Sequence, residues 1–204
     1  MVVQAIENEI RRAQEMHQFV VDQLAAKYEP DDKQELLARF LSIVKSHHES
    51  ILVLTGTHER LFGSAFALLR PLIETACRGL YVAFEASDAR VQRLKEGKNI
   101  YPGFNCMVEL LDGLFDTEGI FGGFGGDIWK ALCGYTHGGL EQLTRQIGLD
   151  GSVQPAYEPE AVQELIRGAT SVFVLMAIPF LQANQRGEAA KAVSDRYIAA
   201  YAFF

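Results

Sequence analysis

The sequence predicts an all-α protein: a single-domain helical bundle of about six to eight helices with a kinked, apolar central helix. Apolar residues recur every three to four positions over long stretches, which places them on one face of a helix. No stretch alternates apolar and polar residues between turn residues, as a half-buried strand would. The 204 residues suit one domain, residues 1–204, that is large enough to bury a core.

The first two predicted helices each carry one apolar stripe. The first stripe comprises Val3, Ile6, Ile10, Ala13, His17, Val20 and Leu24. Residues 29–32 interrupt the pattern, and an aspartate there is expected to cap the next helix. The second stripe comprises Leu37, Phe40, Leu41, Val44, His48, Ile51 and Leu52. Residues 55–57 end the second helix.

The central helix is predicted over residues 60–85, because apolar side chains occur around nearly its whole circumference. Pro71 should kink this helix, because proline lacks an N–H and its ring clashes with the carbonyl of Ala67. Shorter helices are expected over residues 87–96 and 104–115.

Three more helices are predicted in the second half of the chain. One runs from residue 127 to about residue 147, one from Pro159 to Asn184, and one follows Gly187. The apolar run 171–181 is too short to span a bilayer, which indicates a buried helix and no membrane association. The charged N-terminus predicts no signal peptide.

Composition narrows the function classes. With 49% hydrophobic and 22% charged residues the chain is neither disordered nor fibrous. A net charge of −7 disfavours extended DNA binding, which needs a basic surface. The three cysteines form no C-x-x-C pair, so neither a disulfide framework nor a zinc knuckle is encoded. Reduced thiols predict a cytoplasmic protein.

The segment IFGGFGGDIWKALCGYTHGG, residues 120–139, is unusually rich in glycine. A phosphate-binding loop is excluded, because Asp127 stands where such a loop requires lysine or glycine. The first half is interpreted as a flexible loop with Asp127 capping the next helix.

Gly134, Gly138 and Gly139 are expected inside that helix, where each costs about 1 kcal/mol against alanine. Something must therefore approach this backbone closely. Either a second helix packs tightly here or a ligand reaches Thr136 and His137, and the sequence leaves both open.

Charged residues interrupt the central helix. Arg70, Glu74 and Arg78 are spaced four apart and share one face. Because a buried charge must be paired, they are either a structural ion pair or an internal site where Arg70 binds an anion and Glu74 orients it.

Three histidines are candidates to meet at one site in the folded protein. His17 and His48 lie in apolar stripes, and His137 lies among the glycines. The spacings E-x-x-H and H-E-x-x-H are absent, so no metal and no cofactor is predicted, although a bundle metalloprotein is kept as an alternative. No catalytic triad signature is present, and Cys133 is expected in the core.

Two segments, LFGSAFALLRPLIETACRGLYVAF and CGYTHGG, together resemble an uncharacterised group of bacterial helical proteins. In that group an L-x-R-x-x-x-E-like helix precedes a helix with a Tyr-x-His-Gly-like turn. The resemblance covers about residues 46–145. The group is similar in turn to the HEPN superfamily, compact helical bundles that often dimerise. Many of those are metal-independent ribonucleases in toxin, abortive-infection or defence systems.

The chain departs from the HEPN nuclease pattern R-x(4–6)-H, because Lys130, Ala131 and Leu132 occupy the positions where arginine is required before His137. For a nuclease the resemblance implies that His137 acts as general acid or base. Arg70 or Lys130 would stabilise the charge on the phosphorane, and lysine lacks the planar fork of guanidinium.

These observations predict an intracellular helical bundle with an internal site for a small anion or ligand, binding or regulatory rather than catalytic. The predicted ligand-binding residues are Arg70, Glu74, Arg78, Lys130, Thr136, His137 and His48. His137, Arg70 and Glu74 would carry any catalysis. The alternative is a HEPN-type endoribonuclease or a decayed relative that binds RNA. A homodimer is expected, with the C-terminal YIAAYAFF packing on a second subunit or on its own bundle.

Overall fold

The computed structural model describes residues 2–28, 31–117, 119–148, 152–153 and 155–201, without the side chains of residues 2 and 3. Within these residues the chain forms α-helices and no β-strand. The helices are α1 (Val2–Leu24), α2 (Asp32–Gly56), α3 (Phe62–Leu80), α4 (Asp88–Lys95), α5 (Phe104–Phe115), α6 (Gly126–His137), α7 (Leu140–Leu143), α8 (Pro159–Ala183) and α9 (Gly187–Tyr201). The predicted all-α helical bundle is confirmed, whereas the extent of its single domain stays a prediction.

The prediction of one continuous helix over residues 127–147 is wrong, because this segment forms two helices. α6 ends at His137, and Gly138 takes the left-handed conformation with φ +67°. Glycine adopts that conformation without a steric penalty and commonly ends helices. This break gives nine α-helices in the described part of the chain, one more than the upper end of the predicted range.

The core is organised around α8, which packs against α1, α2, α3 and α9. Its residues from Val162 to Leu181 supply much of the buried apolar surface. The predicted central helix α3 runs beside it and also packs against α2, α5 and α6. The approach is close at Gly79 of α3, where a Cβ would lie 2.6 Å from Met176 and 2.7 Å from Phe40.

α8 is also the one helix of the described residues that is long and apolar enough to cross a membrane. It has 25 residues, so the argument from the shortness of the run 171–181 was wrong. However, 67% of its most apolar window is buried inside the bundle. That burial is typical of the core helix of a soluble protein and agrees with the predicted buried helix.

α3 continues through Pro71, which leaves the carbonyl of Ala67 without its helical N–H partner. The Thr136 hydroxyl lies 3.3 Å from Ala67 O and 2.9 Å from Leu132 O in its own helix. The Thr136 hydroxyl of α6 therefore lies within hydrogen-bond reach of the carbonyl that Pro71 leaves unpaired, where α6 packs against α3.

The last turn of the predicted central helix is not α-helical. Residues Tyr81–Glu85 form a π-helical turn, which is closed when the N–H of Ala86 donates to Tyr81 O at 2.9 Å. Tyr81 is buried, and its hydroxyl accepts a hydrogen bond from Arg90 of α4. The turn thus directs the chain from α3 into α4.

The glycine-rich loop is held by Asp112 of α5. One carboxylate oxygen of Asp112 accepts from Thr117 Oγ1 at 2.5 Å and from the N–H of Phe121 at 2.8 Å, and the other accepts from the N–H of Gly122 at 2.6 Å. Partial burial opposes ionisation of Asp112, but these hydrogen bonds outweigh it and lower its pKa. The predicted aspartate cap at Asp127 is wrong, because Asp127 pairs with Lys130 and makes no capping hydrogen bond.

Two other predicted helix starts are confirmed. Asp31 caps α2 by accepting from the N–H of Gln34 at 2.8 Å, within a complete capping box. Pro159 occupies the first turn of α8.

α9 docks on its own bundle. Tyr197 Oη lies 2.5 Å from Ser171 Oγ of α8. The guanidinium of Arg12 in α1 lies over the ring of Tyr201, 5.7 Å from its centroid. Residues 202–204 of the predicted apolar C-terminus lie outside the described residues.

Candidate functional site

The contact between Thr136 and Ala67 shows how α6 is aligned along α3. Because Thr136 faces Ala67, the next residue of α6, His137, lies beside Arg70, one helical turn further along α3. Arg70 Nη1 lies 2.6 Å from His137 Nε2. The sequence placed both residues among the ligand-binding candidates, and the structure brings them together.

This contact indicates the tautomer of a neutral His137 ring. Guanidinium has only donors, so Arg70 donates and Nε2 accepts. The proton of a neutral imidazole then sits on Nδ1. Since His137 is exposed, Nδ1–H is available to a ligand from solvent.

Glu74 connects the two arginines of α3. Its Oε1 lies 2.5 Å from Arg78 Nη2, and its Oε2 lies 3.9 Å from Arg70 Nη2. The second distance is too long for a hydrogen bond. Arg70, Glu74 and Arg78 expose 21%, 23% and 40% of their side chains, so the predicted internal site is a half-buried surface cluster.

Aromatic rings support both guanidinium groups, which sequence reasoning missed. Arg70 lies over Trp129 of α6, 4.9 Å from its centroid, and Trp129 stacks on Phe104 at 3.6 Å. Arg78 lies over Tyr101 at 4.6 Å. Trp129 stands eight residues before His137, on the same face of the helix, so this spacing could have revealed it. The rings fix the planes of the guanidinium groups.

The glycines after Trp129 shape the end of α6. The N–H groups of Gly138 and Gly139 both approach Gly134 O, the latter at 2.6 Å. A Cβ on Gly139 would lie 2.7 Å from Gly134 Cα, and one on Gly134 would lie 1.8 Å from a Glu141 carboxylate oxygen. The C-terminal turn of α6 itself makes the close approach at Gly139, and a side chain of α7 makes the one at Gly134.

We expect Gly139→Ala to lower the free energy of unfolding by about 1–3 kcal/mol, because its methyl group meets backbone that cannot move aside. Gly168→Ala is the matched control, because a Cβ there would meet no atom within 4 Å. In helix α8 the control should gain up to about 1 kcal/mol. Urea denaturation measures both. Equal effects in the two variants would contradict the close approach at Gly139.

The remaining predicted site residues lie elsewhere. Lys130 is exposed and pairs with Asp127 at 2.9 Å. His48 is fully buried, with Nδ1 2.9 Å from His17 Nδ1 and Nε2 3.0 Å from Thr170 Oγ1. The structure therefore joins His17 and His48 in a second cluster. His137 is not part of it, because it contacts Arg70.

The described residues contain no group of three or more His, Cys, Asp or Glu side chains placed to hold a metal ion. The geometry thus gives no support to the metalloprotein alternative. Cys133 is a free thiol and only partly buried, so the expectation that it lies in the core is wrong.

Comparison with known proteins gives a family. A family model described as Family of unknown function (DUF6988) matches residues 41–201, which is most of the chain. No curated protein and no solved structure matches the chain. The matched span contains Arg70, Glu74, Arg78 and His137, together with the rings that support them. The chain therefore belongs to the Family of unknown function (DUF6988).

Proposed function

We propose that the cluster of Arg70, Glu74, Arg78 and His137 binds a small anion and that its role is binding or regulatory rather than catalytic. The observation that carries the proposal is the contact of 2.6 Å between Arg70 Nη1 and His137 Nε2. It joins a cation of α3 to the end of α6, so that two helices present hydrogen-bond donors to one patch of surface.

The charges favour an anion. Two guanidinium groups and one carboxylate leave a formal charge of +1 when His137 is neutral, in a chain whose net charge is −7. Nη2 of Arg70 lies too far from Glu74 for a hydrogen bond, so it retains donors for a ligand. His137 adds Nδ1–H. Several donors around one point match the oxygens of phosphate or of a phosphorylated small molecule.

We expect inorganic phosphate to bind the wild-type protein saturably and Arg70→Gln to weaken this binding at least tenfold. The amide has no charge and cannot form the fork that holds two oxygens. Titration calorimetry at low salt measures the affinity. Arg70→Lys should bind with intermediate affinity, because it keeps the charge and loses the planar geometry.

Arg39→Gln is the matched control, because Arg39 is exposed and pairs with Glu35 on α2. It should bind phosphate as the wild type does. Absence of saturable binding, or equal weakening in Arg39→Gln, would refute the anion site. Melting curves of each variant separate loss of a ligand contact from loss of the fold.

A second candidate is a HEPN-type metal-independent endoribonuclease, or a decayed relative in a toxin–antitoxin or phage-defence system. The observation that favours it is that Arg70 contacts His137, while Lys130 pairs with Asp127. In such a nuclease Arg70 would take from α3 the role that an arginine before His137 has. RNA cleavage in EDTA that disappears in both His137→Ala and Arg70→Ala would support this candidate. Intact RNA with wild-type protein would reject it.

The cytoplasmic location and the homodimer remain part of the proposal. The free thiols of Cys77, Cys106 and Cys133 suit a reducing compartment. Light scattering over a range of concentrations tests the dimer, and a mass of one chain at the highest concentration would reject it.

A further inference from the structure

An apolar groove with a volume of about 510 Å³ lies between α3, α6, α8 and the glycine-rich loop. Ile73, Leu132 and Leu165 come from the three helices and are each at most 5% exposed. Gly123 and Phe124 come from the loop. The groove has the size and the apolar lining of pockets that bind small molecules. Its lining does not include Arg70, Glu74 or His137, so it is separate from the anion cluster.

Two charged side chains also line the groove, Arg145 and Glu164. Arg145 is partly buried and forms no ion pair within the described part of the chain. Its guanidinium lies over the ring of Tyr157, 5.6 Å from the centroid. Glu164 is exposed on α8, where water and salt screen its charge.

The position of Arg145 identifies the class of ligand. A half-buried cation beside apolar walls attracts a carboxylate more strongly than a cation in open solvent does. The guanidinium of Arg145 lies over the face of Tyr157, and its planar fork can offer two parallel donors to two carboxylate oxygens. We infer that this groove binds an apolar monocarboxylate, with its acyl or aryl body between α3, α6 and α8 and its carboxylate on Arg145.

Gly168 of α8 offers a way to fill the groove without disturbing the fold. It lines the groove, and a Cβ built on it meets no atom within 4 Å. Gly168→Leu therefore occupies ligand space and also raises helix propensity. Gly113→Leu is the matched control, because Gly113 lies in α5, is exposed and has equally open space around its Cβ.

The experiment is titration calorimetry of the full chain with decanoate, decanol and decylamine, each kept below its micelle concentration. We expect the wild type to bind decanoate at least tenfold more tightly than decanol. Arg145→Gln should reduce the affinity for decanoate to the affinity for decanol, because the apolar contacts remain. Gly168→Leu should abolish binding of both, while Gly113→Leu and Arg70→Gln bind decanoate as the wild type does.

Four results would overturn the inference. They are no binding of decanoate by the wild type, tighter binding of decylamine, unchanged binding by Gly168→Leu, and loss of decanoate binding in Arg70→Gln. Tighter binding of decylamine would show that Glu164 selects the head group. Loss in Arg70→Gln would show that the carboxylate binds the anion cluster instead. Melting curves establish that Gly168→Leu is folded.

Discussion

Arg167→Met should lower the free energy of unfolding by about 3 kcal/mol, because it leaves the carboxylate of Glu9 buried without its principal partner. Glu9 of α1 is only 3% exposed. Its Oε2 accepts from Nε and Nη2 of Arg167 in α8, at 3.0 and 2.8 Å. Arg12 is 3.7 Å away and compensates only in part. Urea denaturation at neutral pH measures the loss.

The double variant Glu9→Leu with Arg167→Met should recover most of that loss, since it removes the buried carboxylate together with its principal partner. Lys191→Met is the control, because Lys191 and Asp195 form an exposed pair on α9. Exposed pairs contribute at most about 1 kcal/mol, so the control should change little. A loss in Arg167→Met no larger than in Lys191→Met would mean that the Glu9 charge is not buried in solution.

The sequence did not reveal this pair, although the rule that identified Arg70 applies to it. Arg167 stands inside the most buried helix, where a charge needs a partner. Glu9 precedes Ile10 in the chain and is not a member of the apolar stripe of α1. The partners are 158 residues apart, and a helical pattern shows which face is buried but not which residue of another helix meets it.

The fold class was predictable because burial of a helix face leaves its period in the sequence. The sequence named Arg70 and His137 as members of one site, but whether they meet depends on how α6 docks on α3, which the sequence does not show. The loop at residues 119–125 was misread for a similar reason. Local rules favour the adjacent Asp127 as a cap, but Asp112, ten residues earlier than Gly122, makes the hydrogen bonds.

The break at Gly138 shows a different limit. A glycine in a helical pattern is compatible with a close contact or with the end of the helix. The positive φ of Gly138 decides between them, and a sequence does not contain it. The groove could not be predicted for a further reason. Its walls come from three helices and a loop. In the sequence, each of its apolar residues is indistinguishable from a residue of the core.

The paired histidines of α1 and α2 should make the protein sensitive to mild acid. Thr170 Oγ1 donates to Ile166 O at 2.8 Å, so it accepts from His48 Nε2–H at 3.0 Å. His48 Nδ1 then holds a lone pair and accepts from His17 Nδ1–H. His48 is therefore neutral, with its proton on Nε2. Burial, and secondarily the neighbouring His17, lowers the pKa of His48 to about 3.

The sign of the pH dependence follows from this shift. The unfolded chain binds a proton on His48 below about pH 6.5, whereas the folded chain does so only near pH 3. Stability is therefore complete above pH 6.5 and falls as the pH is lowered towards 3. The slope for one histidine is at most about 1.4 kcal/mol per pH unit, so the loss at pH 5 is about 2 kcal/mol.

We expect His48→Gln to flatten this loss between pH 6.5 and 5, a range above the titration of ordinary carboxylates. The variant will be less stable at pH 7, so the comparison rests on the slope of unfolding free energy against pH. His58→Gln, at an exposed histidine, should keep the wild-type slope. If His48→Gln keeps it too, the buried pair does not cause the acid sensitivity. If the slope flattens, the buried pair causes the acid sensitivity. In the core His48 is a neutral hydrogen-bonded ring, whereas in the unfolded chain water solvates its protonated form.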